Sequence, residues 1–149
     1  MRAVVQRVSR AAVRVDGAVA GEIGPGLLVL VGVEKGDGAS DAAYIANKVT
    51  ELRIFTDPDG KMNRAVTDVG GAVLLVSQFT LLGDCRRGRR PSFDAAEAPK
   101  QARALYEDVA RHLRERGLVA AEGVFQAMMQ VELVNDGPVT ILLDSRRTF

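Results

Sequence analysis

A chain of 149 residues that is 47% hydrophobic is sized for one domain around one core and is too apolar for a disordered segment. Its formal net charge of +1 gives no global field toward nucleic acid, so any RNA contact must use a local basic patch. A single cysteine, Cys85, excludes an intrachain disulfide and fits a reducing, cytoplasmic setting. No apolar run approaches the ~18 residues of a membrane-spanning helix.

In chain order, residues 1–9 and 12–15 read as one strand bent near Ser9-Arg10. Four arginines precede the first acid, Asp16, as in a transit peptide, but the β-branched Val4, Val5, Val8, Val13 and Val15 favour a strand. Asp16-Gly17 is a hairpin turn into 18–23. Gly24-Pro25-Gly26 turns the chain into Leu27 to Val33, a continuous apolar run and so a strand buried on both faces. Ser40 can cap a first helix, in which Ala42, Ile45, Ala46, Val49 and Leu52 share one face. A short strand at 53–56 closes on the turn Asp57-Pro58-Asp59-Gly60, and 61–68 is irregular.

Gly70-Gly71 leads into the strand 72–77, and an arginine-rich loop follows over 82–93. Pro99 suits the first turn of a second helix, striped by Ala102, Leu105, Tyr106, Val109 and Leu113 and ended by Gly117. Strands are expected around 124–126, at 128–134 and at 139–143. This pattern is α+β: a curled, barrel-like, mostly antiparallel sheet covered by two helices. Residues 1–143 form one domain, and 144–149 form a loose tail.

Familiar hydrolytic machinery is scarce. A Ser-His-Asp triad needs a histidine, and the only one, His112, falls inside the second helix at the edge of its apolar stripe. No ligand set for a metal is visible, and no cofactor motif. Cys85 beside Arg86 and Arg87 is a weak candidate nucleophile. Ser77, Gln78 and Thr80 stand at a strand end, where such groups either cap exposed backbone or serve a site. Arg86, Arg87, Arg89 and Arg90 crowd one loop, which either stays solvated or meets phosphate, and Arg146 and Arg147 can add to that patch. Gly137-Pro138 can be a plain connection; X-Pro bonds are cis in only ~5–6% of cases.

The segments Ser77-Gln78-Phe79-Thr80 and Asn135-Asp136-Gly137-Pro138-Val139-Thr140 together resemble the signature of the bacterial and eukaryotic D-aminoacyl-tRNA deacylases. Val5-Gln6-Arg7-Val8, Gly32-Val33-Glu34-Lys35, Gly60-Lys61-Met62-Asn63 and Arg90-Pro91-Ser92-Phe93 extend the likeness over roughly 1–143. It begins at Met1, which weighs against a transit peptide. The loop at 83–90 is more basic than is usual in that family.

The resemblance implies hydrolysis of the ester joining a D-amino acid to the tRNA 3′-adenosine, in a cytoplasmic homodimer with sites at the subunit interface. It implies a cis Gly137-Pro138 bond that enters the partner's pocket, facing Ser77, Gln78, Phe79 and Thr80. Two carbonyls pointing one way would form a wall that rejects an L side chain by clash, so discrimination works by exclusion. Glycine, with nothing to clash, should pass, so glycyl-tRNA(Ala) is an expected substrate. Arg7 matches the position supporting the Gly-Pro turn, and Phe125 and Met129 match the adenosine pocket, where a ring and a thioether suit a base face. Thr80 is one proposed nucleophile; in the competing proposal the substrate's own 2′-hydroxyl assists hydrolysis and the protein only positions the ester, which the lack of a visible base favours. A non-catalytic RNA-binding module of the same fold and a small-molecule esterase are the competing readings.

Overall fold

The computed structural model describes residues 1–149. The strand β1 (Arg2–Val15) is the spine of the fold. Along one edge it pairs antiparallel first with β3 (Gly26–Gly32), over residues 2–8, and then with β2 (Ala18–Ile23), over residues 11–15. Along the other edge runs β8 (Gln130–Asp144), also antiparallel. On the far side of β3, β6 (Ala72–Ser77) and then β7 (Ala120–Glu122) add in parallel. The sheet is therefore mixed, with three antiparallel and two parallel pairings. It curls until β2 meets β7: a Cβ on Gly21 would overlap the carbonyl oxygen of Glu122, so only glycine permits the approach.

Burial follows the alternation of side chains along each strand. Leu27, Val29 and Val31 of β3 face the helices α1 (Ala39–Glu51) and α2 (Pro99–Glu115), joining Ile45, Val49, Leu105, Val109 and Leu113 in the main core. Leu28 points the other way, into the curl with Val8, Val13, Leu74 and Val76. β3 is thus buried on both faces, as its unbroken apolar run requires. Each such Leu or Val contributes about 1.5–3 kcal/mol by leaving water.

Several boundaries differ from those expected. The cap of α1 is Gly38, whose N–H donates to Asp41 (2.8 Å), and Ser40 lies inside the helix. Residues 62–64, expected to be irregular, form β5 (Met62–Arg64), which pairs with β4 (Phe55–Thr56) across the 57–60 turn. Residues 124–126 are a turn, and the strand lies earlier, at β7. The two last strands are one, β8, because both halves pair with the same continuous β1. Residues 144–148 are tied down: Asp144 is 4% exposed and accepts the N–H groups of Arg146 (3.1 Å) and Thr148 (3.2 Å). Burial alone would raise the Asp144 carboxyl, but the Thr148 hydroxyl and these N–H groups outweigh it and hold it below the usual range.

Candidate active site

β6 ends where its parallel pairing with β3 ends, at Val31 opposite Ser77. The Gln78 N–H still donates to the Val31 carbonyl (2.7 Å), and the chain then tightens into a 3₁₀ turn, Phe79–Leu82. Leu82 is buried and pins this turn, while Phe79 is 56% exposed. Phe79 and Thr80 open the turn, so their N–H groups have no partner within it. The Gln78 amide donates to Thr80 Oγ1 (3.0 Å). Gly32 makes room beneath: a Cβ there would stand 2.9 Å from the Gln78 carbonyl oxygen and 3.1 Å from Leu81 Cβ.

The facing wall comes from the turn after β7. Gln126 takes a positive φ of 63°. Met129 Sδ accepts the Val124 N–H (3.4 Å) and fills the space beside Gly123, where a Cβ would come within 2.8 Å of the sulfur. Phe125 leans on Tyr106, with ring centroids 6.0 Å apart, and the Tyr106 hydroxyl donates to the buried Leu75 carbonyl (2.9 Å). Burial, reinforced by the Glu122 charge, pushes the Tyr106 phenol well above its ordinary value, so it stays a neutral donor. The Arg103 guanidinium lies 4.8 Å from the Phe125 centroid.

Between these walls lies a cavity of ≈ 860 Å³ at the carboxyl ends of β3 and β6, where open α/β sheets place their ligands. Ser77, Gln78, Phe79, Thr80, Phe125 and Met129 all line it. Phe93 joins them, edge-on to Phe79 at 5.1 Å, and Glu97 is the only charged residue in the lining. His112 and Cys85 are absent from the lining; His112 lies 3.6 Å from Glu115 on α2, and Cys85 is exposed. The Thr80 hydroxyl has an amide for its partner and no base. No three His, Cys, Asp or Glu side chains converge as metal ligands do, and no helix is long and apolar enough to cross a membrane.

Gly137 and Pro138 do not line this cavity. Gln6 pairs with Thr140 and Val8 with Asn135, so residues 136–139 bulge out of β8 opposite Arg7. Asp136, Gly137 and Pro138 are exposed while Val139 is buried in the main core, and the Gly137–Pro138 bond is cis. Arg7 Nε donates to the Asp136 carbonyl (2.8 Å) and Nη1 to that of Ile54 (2.6 Å), with the Arg7 side chain 11% exposed. Asn135 closes the base of the bulge by accepting the Val139 N–H (2.8 Å).

The basic loop springs from the cavity rim. Its ends pair through Asp84 and Ser92 (2.7 and 2.9 Å), next to Phe93. Asp84 grips Arg86 with both oxygens (2.9 and 2.6 Å), and that guanidinium holds its carboxyl far below the usual range. Arg87, Arg89 and Arg90 form no ion pair and are exposed. Arg146 and Arg147 do not join them: Arg146 is bound to Asp37 (3.1 Å) and Glu34 (3.5 Å), and Arg147 lies over Tyr44.

Residues 4–144 match the family model described as D-Tyr-tRNA(Tyr) deacylase. The chain belongs to that family. Relatives named D-aminoacyl-tRNA deacylase match it end to end, at 68% identity in Anaeromyxobacter dehalogenans and 62% in Syntrophotalea carbinolica, each covering 100% of both chains. Among solved structures, one titled c-Myc DNA Unwinding Element Binding Protein superposes with a TM-score of 0.91 at 40% identity, over 97% of this chain and 98% of that one. A probable eukaryotic D-amino acid tRNA deacylase superposes at 0.78 and 17% identity, over 95% of this chain and 97% of that one, a likeness of fold alone. Within this deacylase-family chain, motif reading missed Arg103 and Glu97, which belong to no short motif, and it met Gly32 only within Gly32-Val33-Glu34-Lys35, without its packing role.

Proposed function

We propose that this protein hydrolyses the ester of D-aminoacyl-tRNA, releasing the free D-amino acid and tRNA. The observation that carries this is the single cavity into which Ser77–Thr80, Phe125 and Met129 converge, in a chain of the deacylase family. The terminal adenosine stacks against Phe125 and Met129, and its ester carbonyl lies over the 3₁₀ turn. Water attacks the ester carbonyl with the substrate's 2′-hydroxyl assisting, the bond to O3′ breaks and O3′ takes the proton; Thr80 has no base beside it to act as nucleophile instead. The N–H groups of Phe79 and Thr80 then stabilise the developing oxyanion, and Ser77 and Gln78 orient ester and ribose.

The protein acts as a cytoplasmic homodimer. Gly137 and Pro138 of one copy, braced by Arg7, close the cavity of the other and reject L side chains by clash. Glycyl-tRNA(Ala) passes this filter for want of a side chain. Arg87, Arg89 and Arg90 meet acceptor-stem phosphates, while Arg86, held by Asp84, contributes less than the sequence led us to expect.

The test is deacylation of matched D-tyrosyl-tRNA and L-tyrosyl-tRNA by the purified protein. Fast loss of the D ester with the L ester spared is the expected result. Cleavage of both would refute the wall assigned to Gly137 and Pro138. The second reading, a nucleic-acid-binding module without catalysis, draws on the printed title of the 40%-identical structure. It becomes the leading account if both esters survive while uncharged tRNA binds.

A further inference from the structure

The cavity lining contains no Lys, Arg or His, and its one charge is the carboxylate of Glu97, which accepts the Ala98 N–H (2.7 Å). An RNA end entering such a cavity must find its cations at the rim. The first turns of α2 form part of that rim, through Pro99 and Ala102. Arg103 follows, exposed, with its guanidinium over the face of Phe125 (4.8 Å). It forms no ion pair, although Glu107 stands one helical turn on at a spacing that permits one. Tyr106, from the same helix, supports the same ring and is itself anchored to Leu75. A guanidinium stacked on a ring keeps its N–H donors free at the edge of its plane, in the fork geometry that matches phosphate.

Resting on the deacylase reading, we propose that Arg103 binds the phosphodiester preceding the tRNA's terminal adenosine while Phe125 takes the base. In a nucleotide, one ribose separates base from 5′-phosphate. A base seated on Phe125 therefore brings that phosphate to the cation covering the ring. Glu97 is the one carboxylate in the lining, and Arg103 offsets its repulsion of the incoming phosphate.

The test compares D-tyrosyl-tRNA with 3′-(D-tyrosyl)-adenosine, which has no phosphate. Arg103→Ala should raise KM for the tRNA about tenfold, the worth of one charge-assisted hydrogen bond, and leave the adenosine ester unchanged. Arg103→Lys should recover part of the loss. The salt dependence of log KM should flatten by about 0.7 in Arg103→Ala. An equal change on both substrates would make Arg103 a prop for Phe125 and overturn the proposal, as would no change on either. If the wild type cleaves neither ester, the deacylase reading fails and binding decides the role of Arg103. Loss of affinity for the oligonucleotide ACCA but not for adenosine, read by NMR titration of Arg103→Ala, supports it; equal or absent losses overturn it.

Discussion

Thr80 is the residue that separates the two mechanisms open to the proposed reaction. Its hydroxyl is exposed at the cavity and its partner is the Gln78 amide, which can orient it but cannot take its proton. A serine or threonine nucleophile without a base is weak, whereas a 2′-hydroxyl adjacent to the ester is positioned by the substrate itself. Thr80→Ala is therefore expected to keep kcat/KM within about tenfold of wild type, since removing a true nucleophile costs several orders of magnitude. Single-turnover deacylation measures this, with circular dichroism and tRNA binding checking that fold and affinity survive; a collapse of the rate with both intact would reinstate Thr80 as nucleophile. At this scale the sequence was informative where chemistry travels with a short motif. Ser77 to Thr80 could be picked out at a strand end, where the residues alone left backbone capping open and the family resemblance supplied the proposed role. Arg103 could not, because its partner ring is 22 residues away and only the fold brings them together.

At the scale of elements, alternation and apolar runs placed most strands and both helices, and each miss has its own cause. β8 reads as two strands because Asn135 to Pro138 carries turn chemistry, but both flanks find the same β1, and tertiary pairing overrides the local signal. β7 was misplaced because its three residues, Ala120 to Glu122, carry almost no pattern of their own. Gly32 shows how an element can hide a functional constraint. It ends β3 against the 3₁₀ turn, and a Cβ there would press on the Gln78 carbonyl oxygen (2.9 Å) and Leu81 (3.1 Å). A methyl in that gap must move the turn or strain the strand. Gly32→Ala should cost about 1–3 kcal/mol of stability and lower kcat/KM more than Thr80→Ala does, because it displaces every group on the turn at once. Gly24→Ala, with open space around it, is the control that leaves both unchanged. Urea melts and deacylation rates read the two effects separately, and a full-rate Gly32→Ala enzyme would show that the turn's position is not critical.

At the scale of the whole molecule, the proposed site draws on two features that do not meet within one chain. The cavity holding Ser77 to Thr80 is open, while the Arg7-braced Gly137–Pro138 bulge is exposed elsewhere and lines no part of it. Composition predicted one core, and the curled sheet instead buries a main cluster under the helices and a smaller one inside the curl; the proposal that a second copy completes the site rests on the family resemblance. A two-fold dimer makes a sharp demand of such an arrangement, because each site takes one half from each subunit. Ala102→Trp fills the cavity of its own chain and leaves its bulge intact. Gly137→Trp plugs the partner's cavity and leaves its own intact. Each variant alone should be inactive. In a mixed dimer one site carries both faults and the other neither. Equal co-expression makes about half the dimers mixed, so about a quarter of wild-type activity should return. Isolating the mixed species with two different tags and assaying it removes the statistics. An inactive mixed dimer, with its composition confirmed by mass spectrometry, would mean that the bulge does not complete the partner's cavity.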